Sequence, residues 1–391
     1  MTSPVDTTVK HYRSDMPGAP VLNGVAGSKI AQLEACLCTG YGLKVATSLV
    51  VVGGVATLNF VGGASAAWSG AVIQVAGASN AALNGEQKVL SANTAAVTFA
   101  TAQPDGTDAG ASITFKIAAA GWEKVYSKTN VAVFRSLHPE STKMFLRVDD
   151  TAAQFSRLTG YETMSSVDAG AGAFPTEGQV PGGGYWAKSD TSSATPVAWI
   201  LASDGRFFLD STAPGAHRGP EYQNCFLRGF GDFIPKNPAG DGYLCGINYS
   251  TTSDVSLMYE GALDANSVRR TAIARGYTGL GASVQAYRAA YSGKEYSGRD
   301  QTMGAFPSQI DGSLILSAQY VSEIASPRGD VPGLRYCPQT GVWSTFGLFD
   351  KLVHAGRTYI TSCTSTESSL PSYGRTSATG ASFIDITGPW R

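Results

Sequence analysis

The residues best suited to nucleophilic or metal chemistry are four histidines, at 11, 138, 217 and 354, and six cysteines, at 36, 38, 225, 245, 337 and 363. A nucleophilic triad needs a Ser or Cys beside a His base that a third group orients. None of the four His sits in such a pattern, and the G-x-S-x-G elbow is absent. His354, behind the apolar run of "KLVHAGR", reads as a structural histidine. Cys36-x-Cys38 is a lone pair, without the further ligands that a tetrahedral zinc site requires. Asp149 and Asp150 in "LRVDDT" are adjacent at the end of an expected strand. Neighbours on a strand point to opposite faces, so they are poorly placed to flank one glycosidic bond, and a local turn role is expected instead. Asp204, Asp210, Asp232 and Asp241 mostly neighbour glycine and read the same way.

Three further matches carry little. "SPRGDVPG" around Arg328-Gly329-Asp330 reads as turn chemistry. "NYS" at 248–250 is a glycosylation sequon that matters only on a secretory route, and "GFGDFI" at 229–234 lacks the third glycine of a dinucleotide loop. The expectation is a chain that is not an enzyme and holds no cofactor or metal.

The positive signal is aromatic. Tyr185, Trp186, Trp199, Tyr243, Tyr249, Tyr277, Tyr287, Tyr291, Tyr296 and Trp343 lie in or near Gly-rich loops and strand ends. Tyrosine and tryptophan among Ser, Gly and Asn give contact area at low entropic cost. The same residues also fill cores, so both readings stand. Tyr185, Trp186, Tyr277, Tyr291 and Tyr296 are the candidate contact residues.

Strand-like alternation dominates the elements that must position them. "GSKIAQLEACLCTGYG" is the clearest helix, with Ser28 as expected cap, Ile30, Leu33 and Leu37 on one face, and Gly40 as the stop. "VATLNF", "AVIQVAG", "EQKVLSA", "AVTFAT" and "ASITFKIA" are short alternating segments between 55 and 118, separated by turn signals. "LNG" at 83–85 falls between two of them as a candidate hairpin turn. From "GWEKVYS" at 121 onward, strand candidates alternate with long loops such as 168–186. The expected fold is mainly β, in three parts. Residues 1–43 form an N-terminal arm with one short helix, 44–120 a small immunoglobulin-like β-sandwich, and 121–391 a larger β-rich domain with room for two subdomains.

Composition agrees. Of 391 residues, 15% are charged against a usual ~25%, and 46 are glycine. The net charge of −1 comes from scattered residues, so neither a nucleic-acid stripe nor a polybasic membrane patch is expected. The most apolar run, 49–61, is too short and too Gly-broken to span a membrane. The first twenty residues lack an apolar signal segment, which points to synthesis in a cytoplasm and to reduced thiols.

Phrases spread over nearly the whole chain resemble a family of virion proteins from tailed bacteriophages and prophages of Gram-negative bacteria. They include "VDTTVKHYRSDMPGAPVLNGVAGSKIAQLEACLCTGYG" (5–42), "AALNGEQKV" (81–89), "GWEKVYSKTNVAVFRS" (121–136), "MFLRVDDT" (144–151), "GYETMSSVDAGAGAFPT" (160–176), "GFGDF" (229–233), "PRGDVPGL" (327–334) and "FIDITGPWR" (383–391). The resemblance implies a structural component of the virion and does not say where in it the protein sits; the expectation is a homo-oligomer assembled in the host cytoplasm with other virion proteins, at the tail or head–tail region. By analogy, the N-terminal arm would dock on a neighbouring subunit. A head decoration or minor capsid protein is the alternative within that class. A receptor-binding protein that grips host cell-surface glycan through its aromatic loops is the alternative outside it, and a glycan-degrading enzyme stands third.

Overall fold

The computed structural model describes residues 3–108, 112–215, 225–255, 258, 269–290, 304–323, 326–339, 341–342, 345–362 and 381–391. Alternation in the sequence becomes strands nearly where it is expected. Val55–Phe60, Val72–Ala76, Gly85–Ala92, Ala96–Ala100 and Thr114–Ile117 all form, and most of their apolar residues turn inward, with Val55 and Leu90 left exposed. A twelve-residue strand, Tyr41–Val52, joins them. Its first part pairs with Thr114–Ile117 and its second with Val55–Phe60. Gly85–Ala92 likewise splits its pairing between Val72–Ala76 and Ala96–Ala100. These shared strands close the ladder into a ring, with Gly106–Asp108 added outside it. A closed barrel therefore stands where two separate immunoglobulin-like sheets were expected. Long strands that bend across two partners remove the free edges that a sandwich would keep.

The "LNG" hairpin also resolves differently. Ala81–Leu83 is a single 3-10 turn, and the Asn84 side chain brackets the loop by accepting from Ala78 N and donating to Ala78 O, both at 2.9 Å. The tight turn lies further on, where Asn93 Oδ1 accepts from Ala95 N and Ala96 N.

Beyond the barrel, among the described residues, are a six-stranded sheet from Trp122–Lys128 to Gly184–Ala187 and a thirteen-stranded sheet. The stretch 168–186, read as a loop, contributes two strands, Ala169–Phe174 and Gly184–Ala187. Glycine hides the first because neighbouring side chains occupy its face. A Cβ on Gly170 would stand 2.6 Å from the Tyr161 ring, and one on Gly172 2.6 Å from the Glu162 carboxyl carbon. "SPRGDVPG" is likewise part of a strand, Ser326–Cys337, rather than a turn. Thr271–Ile273 is a short strand, and residues 259–268 before it lie outside the described residues.

The large sheet curls so that Phe207, Leu209 and Leu227 share a core with Val321, Leu334, Ile360 and Ile384 from its other half. Its opposite face joins one buried cluster with the barrel (Phe60, Phe99, Phe115), the six-stranded sheet (Phe134, Leu146) and the helix (Leu33, Leu37). Trp122 meets Phe208 edge-on at 5.4 Å inside this cluster.

The N-terminal segment packs on its own chain rather than reaching out as a free arm. Lys10–Arg13 adds a strand to the edge of the large sheet beside Ala198–Ser203, and Tyr12 donates to Ala118 O at 2.9 Å. The helix Ser28–Leu33 continues as a wider π turn to Thr39 and stops at Gly40. Gly40 has φ 70, and a Cβ there would lie 2.1 Å from Ile117 O. Ser28 does not cap this helix; its hydroxyl donates to Asn23 O at 2.8 Å. The cap comes from Asp150, whose Oδ2 accepts from Lys29 N at 2.8 Å. Asp150 is fully buried and also binds Lys188 Nζ and Ser156 Oγ, at 2.6 and 2.7 Å. The expected turn role belongs to Asp149 alone, which accepts from Thr151 Oγ1 at 2.8 Å. Beside this network Lys29 Nζ reaches Asp210 Oδ2 at 2.6 Å, with both side chains buried.

Candidate functional site

The aromatic residues separate into core and surface. Trp186, Trp199 and Tyr249 are buried, and Trp186 Nε1 donates to Asn248 O at 2.7 Å. Tyr185 is half-buried under the Arg157 guanidinium, 3.8 Å from its ring centroid, and accepts a hydrogen bond from the same group. Tyr291, Tyr296 and Trp343 lie outside the described residues. Tyr277 is 39% exposed and stands beside Tyr243, 58% exposed, with ring centroids 5.3 Å apart and planes tilted by 47°. These two are the only exposed aromatic side chains among the described residues.

Loop geometry brings the pair together. Tyr243 precedes the strand Cys245–Asn248, and Tyr277 is the centre of a 3-10 turn, Gly276–Thr278, that ends at left-handed Gly279. Next to them Arg328 makes a two-point pair with Asp241, Nε to Oδ2 at 3.0 Å and Nη2 to Oδ1 at 3.1 Å. Arg328 Nη1 reaches Glu323 Oε2 at 3.1 Å. The Tyr277 hydroxyl lies 3.5 Å from Asp241 Oδ1, and its pKa is raised by burial and by that carboxylate. Under the turn, a Cβ on Gly276 would be 3.1 Å from the Glu162 carboxylate oxygens. Glu162 Oε1 is buried with no hydrogen-bond partner among the described residues.

A second surface lies on the barrel. Leu43 and Val45, two residues apart on one strand, share its outward face and are 65% and 56% exposed. Val61, 75% exposed, follows the strand that places Phe60 opposite Ala46, so Val61 and Val45 stand one step beyond that pair. The adjoining Lys44 Nζ donates to Gly62 O at 2.9 Å, which ties the two strand ends.

Concavities also occur on the described surface. A cleft of about 450 Å³ runs between Lys10, Glu86, His138, Arg206 and Arg391. Its charges close on each other, as Lys10–Glu86 at 3.0 Å, Arg206–Glu140 at 3.1 Å and Arg391–Asp204 at 2.7 Å. A cavity of about 470 Å³ opens at one end of the barrel over Leu49, Val51 and Leu83. Its Asp105 and Asp108 hold loops, accepting from Gly53 N and Ser79 N.

The residues first considered for chemistry are dispersed. His11 is buried, and its pKa is lowered to about 3 by burial and then by Lys351, Lys88 and Arg13. His138 is held low by burial and Arg206, and its Nδ1 accepts from Glu140 N at 3.2 Å. His354 is on the edge strand Lys351–His354, and His217 lies outside the described residues. Cys36, Cys38, Cys245 and Cys337 are free thiols, and burial raises the pKa of each. Asp204 does close a turn, accepting from Arg206 N and Phe207 N. Asp210 and Asp232 are instead buried strand residues, and Asp232 accepts from Thr142 N and Oγ1. Among the described residues no three His, Cys, Asp or Glu side chains gather as a metal site, and no helix is long and apolar enough to cross a membrane.

The Asp241–Arg328 pair was invisible in sequence because 87 positions separate its members. Lys29 did leave a signal: it lies four residues before Leu33 and seven before Cys36, a lysine inside an apolar helical stripe. No protein-family model and no curated protein matches this sequence.

Proposed function

We propose that this chain is a structural subunit of a tailed-phage virion, assembling with copies of itself and with other virion proteins in the host cytoplasm, at the tail or head–tail region. The phrases set out above support the class. The observation that carries self-assembly is the bare apolar wall of Leu43, Val45 and Val61. Single exposed apolar residues are ordinary, whereas a contiguous group of them marks a contact surface. The wall lies on the barrel, whose interior is filled by its own side chains. The outside is the barrel's working surface in this reading.

Sedimentation velocity tests the assembly. The chain is expected to form a discrete oligomer that Val45→Glu or Val61→Glu dissociates without lowering the melting temperature. Location is tested by reconstruction of the intact particle. A ring of three, six or twelve copies around the tail axis is expected; a few copies projecting singly from a distal tip would sink the structural reading.

A further inference from the structure

We propose that the Tyr243–Tyr277 platform is a saccharide-binding site, taking a neutral hexose unit with its C–H face on the tyrosine rings and its hydroxyls on Asp241, Arg328 and Glu323. Three observations converge. Among the described residues these are the only exposed aromatic rings, the others being buried or half-buried. Exposed aromatic faces have an apolar body that water solvates poorly, and they are retained where a ligand covers them.

Fixed polar groups lie alongside. Asp241 and Arg328 are locked to one another at two points, so a ligand hydroxyl meets donors and acceptors already in place. A guanidinium has five N–H donors, and three are spent on Asp241 and Glu323. Each carboxylate oxygen offers two acceptor positions, so Asp241 and Glu323 keep capacity beyond these bonds.

This combination selects among ligand classes. A phosphate or nucleic acid needs uncompensated cations, and here the Arg328 charge is answered by two carboxylates. An apolar peptide face would strip water from Asp241, Glu323 and Arg328 and return no hydrogen bonds, which is unfavourable for each group. A sugar presents an apolar C–H face and a rim of hydroxyl donors, and so matches both halves. The site does not depend on the barrel wall that carries the subunit reading, and the two tests fail separately.

The test uses the full chain with glucose, galactose and N-acetylglucosamine trisaccharides as probes, read by saturation-transfer nuclear magnetic resonance. At least one probe is expected to receive magnetisation, with transfer between its C–H protons and tyrosine ring protons. Tyr243→Ala and Tyr277→Ala should each weaken it about tenfold, whereas Tyr243→Phe and Tyr277→Phe should retain it. Circular dichroism and melting of each variant establish that it is folded. The wild-type proton transfer needs no variant. The assignment is overturned if no probe binds the wild type, or if binding survives both alanine variants. It is equally overturned if the alanine variants change only the sedimentation of the chain, which would make the platform a subunit contact.

Discussion

Replacing Lys29 by methionine isolates the buried ion pair that fixes the helix to the large sheet. Lys29 Nζ donates to Asp210 Oδ2 at 2.6 Å and to Thr212 Oγ1 at 3.2 Å, and neither charge reaches solvent. Lys29→Met leaves the Asp210 carboxylate with Gln32 Nε2 at 3.2 Å as its remaining side-chain donor. An uncompensated buried charge costs about 3–5 kcal/mol, whereas replacing both partners with apolar residues of similar volume is often neutral or better. Asp210→Leu should cost about as much as Lys29→Met, because it strands the ammonium instead. The double variant should then recover about 3 kcal/mol or more relative to the sum of the singles. Urea unfolding at neutral pH, followed by tryptophan fluorescence, reads all four corners of the cycle. The reasoning is refuted if the single variants lose less than about 1 kcal/mol, or if the double variant loses the full sum.

Three further outcomes are expected. His11 has its folded pKa lowered to about 3 from 6.5, so its contribution is complete above about pH 6.5 and is lost as pH falls toward 3. The stability difference between wild type and His11→Gln should therefore shrink by up to about 1.4 kcal/mol per pH unit below 6.5, and parallel curves would contradict the burial of a neutral imidazole. Cys38, half-buried with its pKa raised to about 12, should alkylate at pH 8 roughly a thousandfold more slowly than a free thiol. Peptide mapping after iodoacetamide treatment checks this, and rapid labelling at Cys38 would contradict it. Gly333→Ala should destabilise by about 2–4 kcal/mol in thermal unfolding, because Gly333 has φ 67 and a Cβ would lie 2.1 Å from Trp390 Cε2. A neutral result would mean that Trp390 moves aside freely.

Local patterns already contain much of the fold. Alternation marks strands such as Val55–Phe60 and Thr114–Ile117 because side chains on a pleat alternate between core and water wherever one face is buried. The helix face of Leu33 and Leu37 and the stop at Gly40 were legible for the same reason, being set by residues within a few positions of each other. Two strands whose side chains do not alternate escaped. Phe226–Asp232 is buried throughout, and Ala169–Phe174 is glycine-rich because its neighbours fill the space a Cβ would take.

Long-range partners decided the rest. Asp150 looks like a turn residue in its own neighbourhood, yet it caps a helix that begins more than 120 positions earlier. The barrel closes because Tyr41–Val52 serves two partners, and ladder closure is a property of the whole set of strands rather than of any segment. The aromatic residues show the division most plainly. Trp186 and Tyr277 both lie close to glycines in sequence and read alike, yet one is enclosed by the sheets and the other left bare beside Tyr243. Residue type fixes what a side chain can do; which of them water can reach is settled only when the sheets pack.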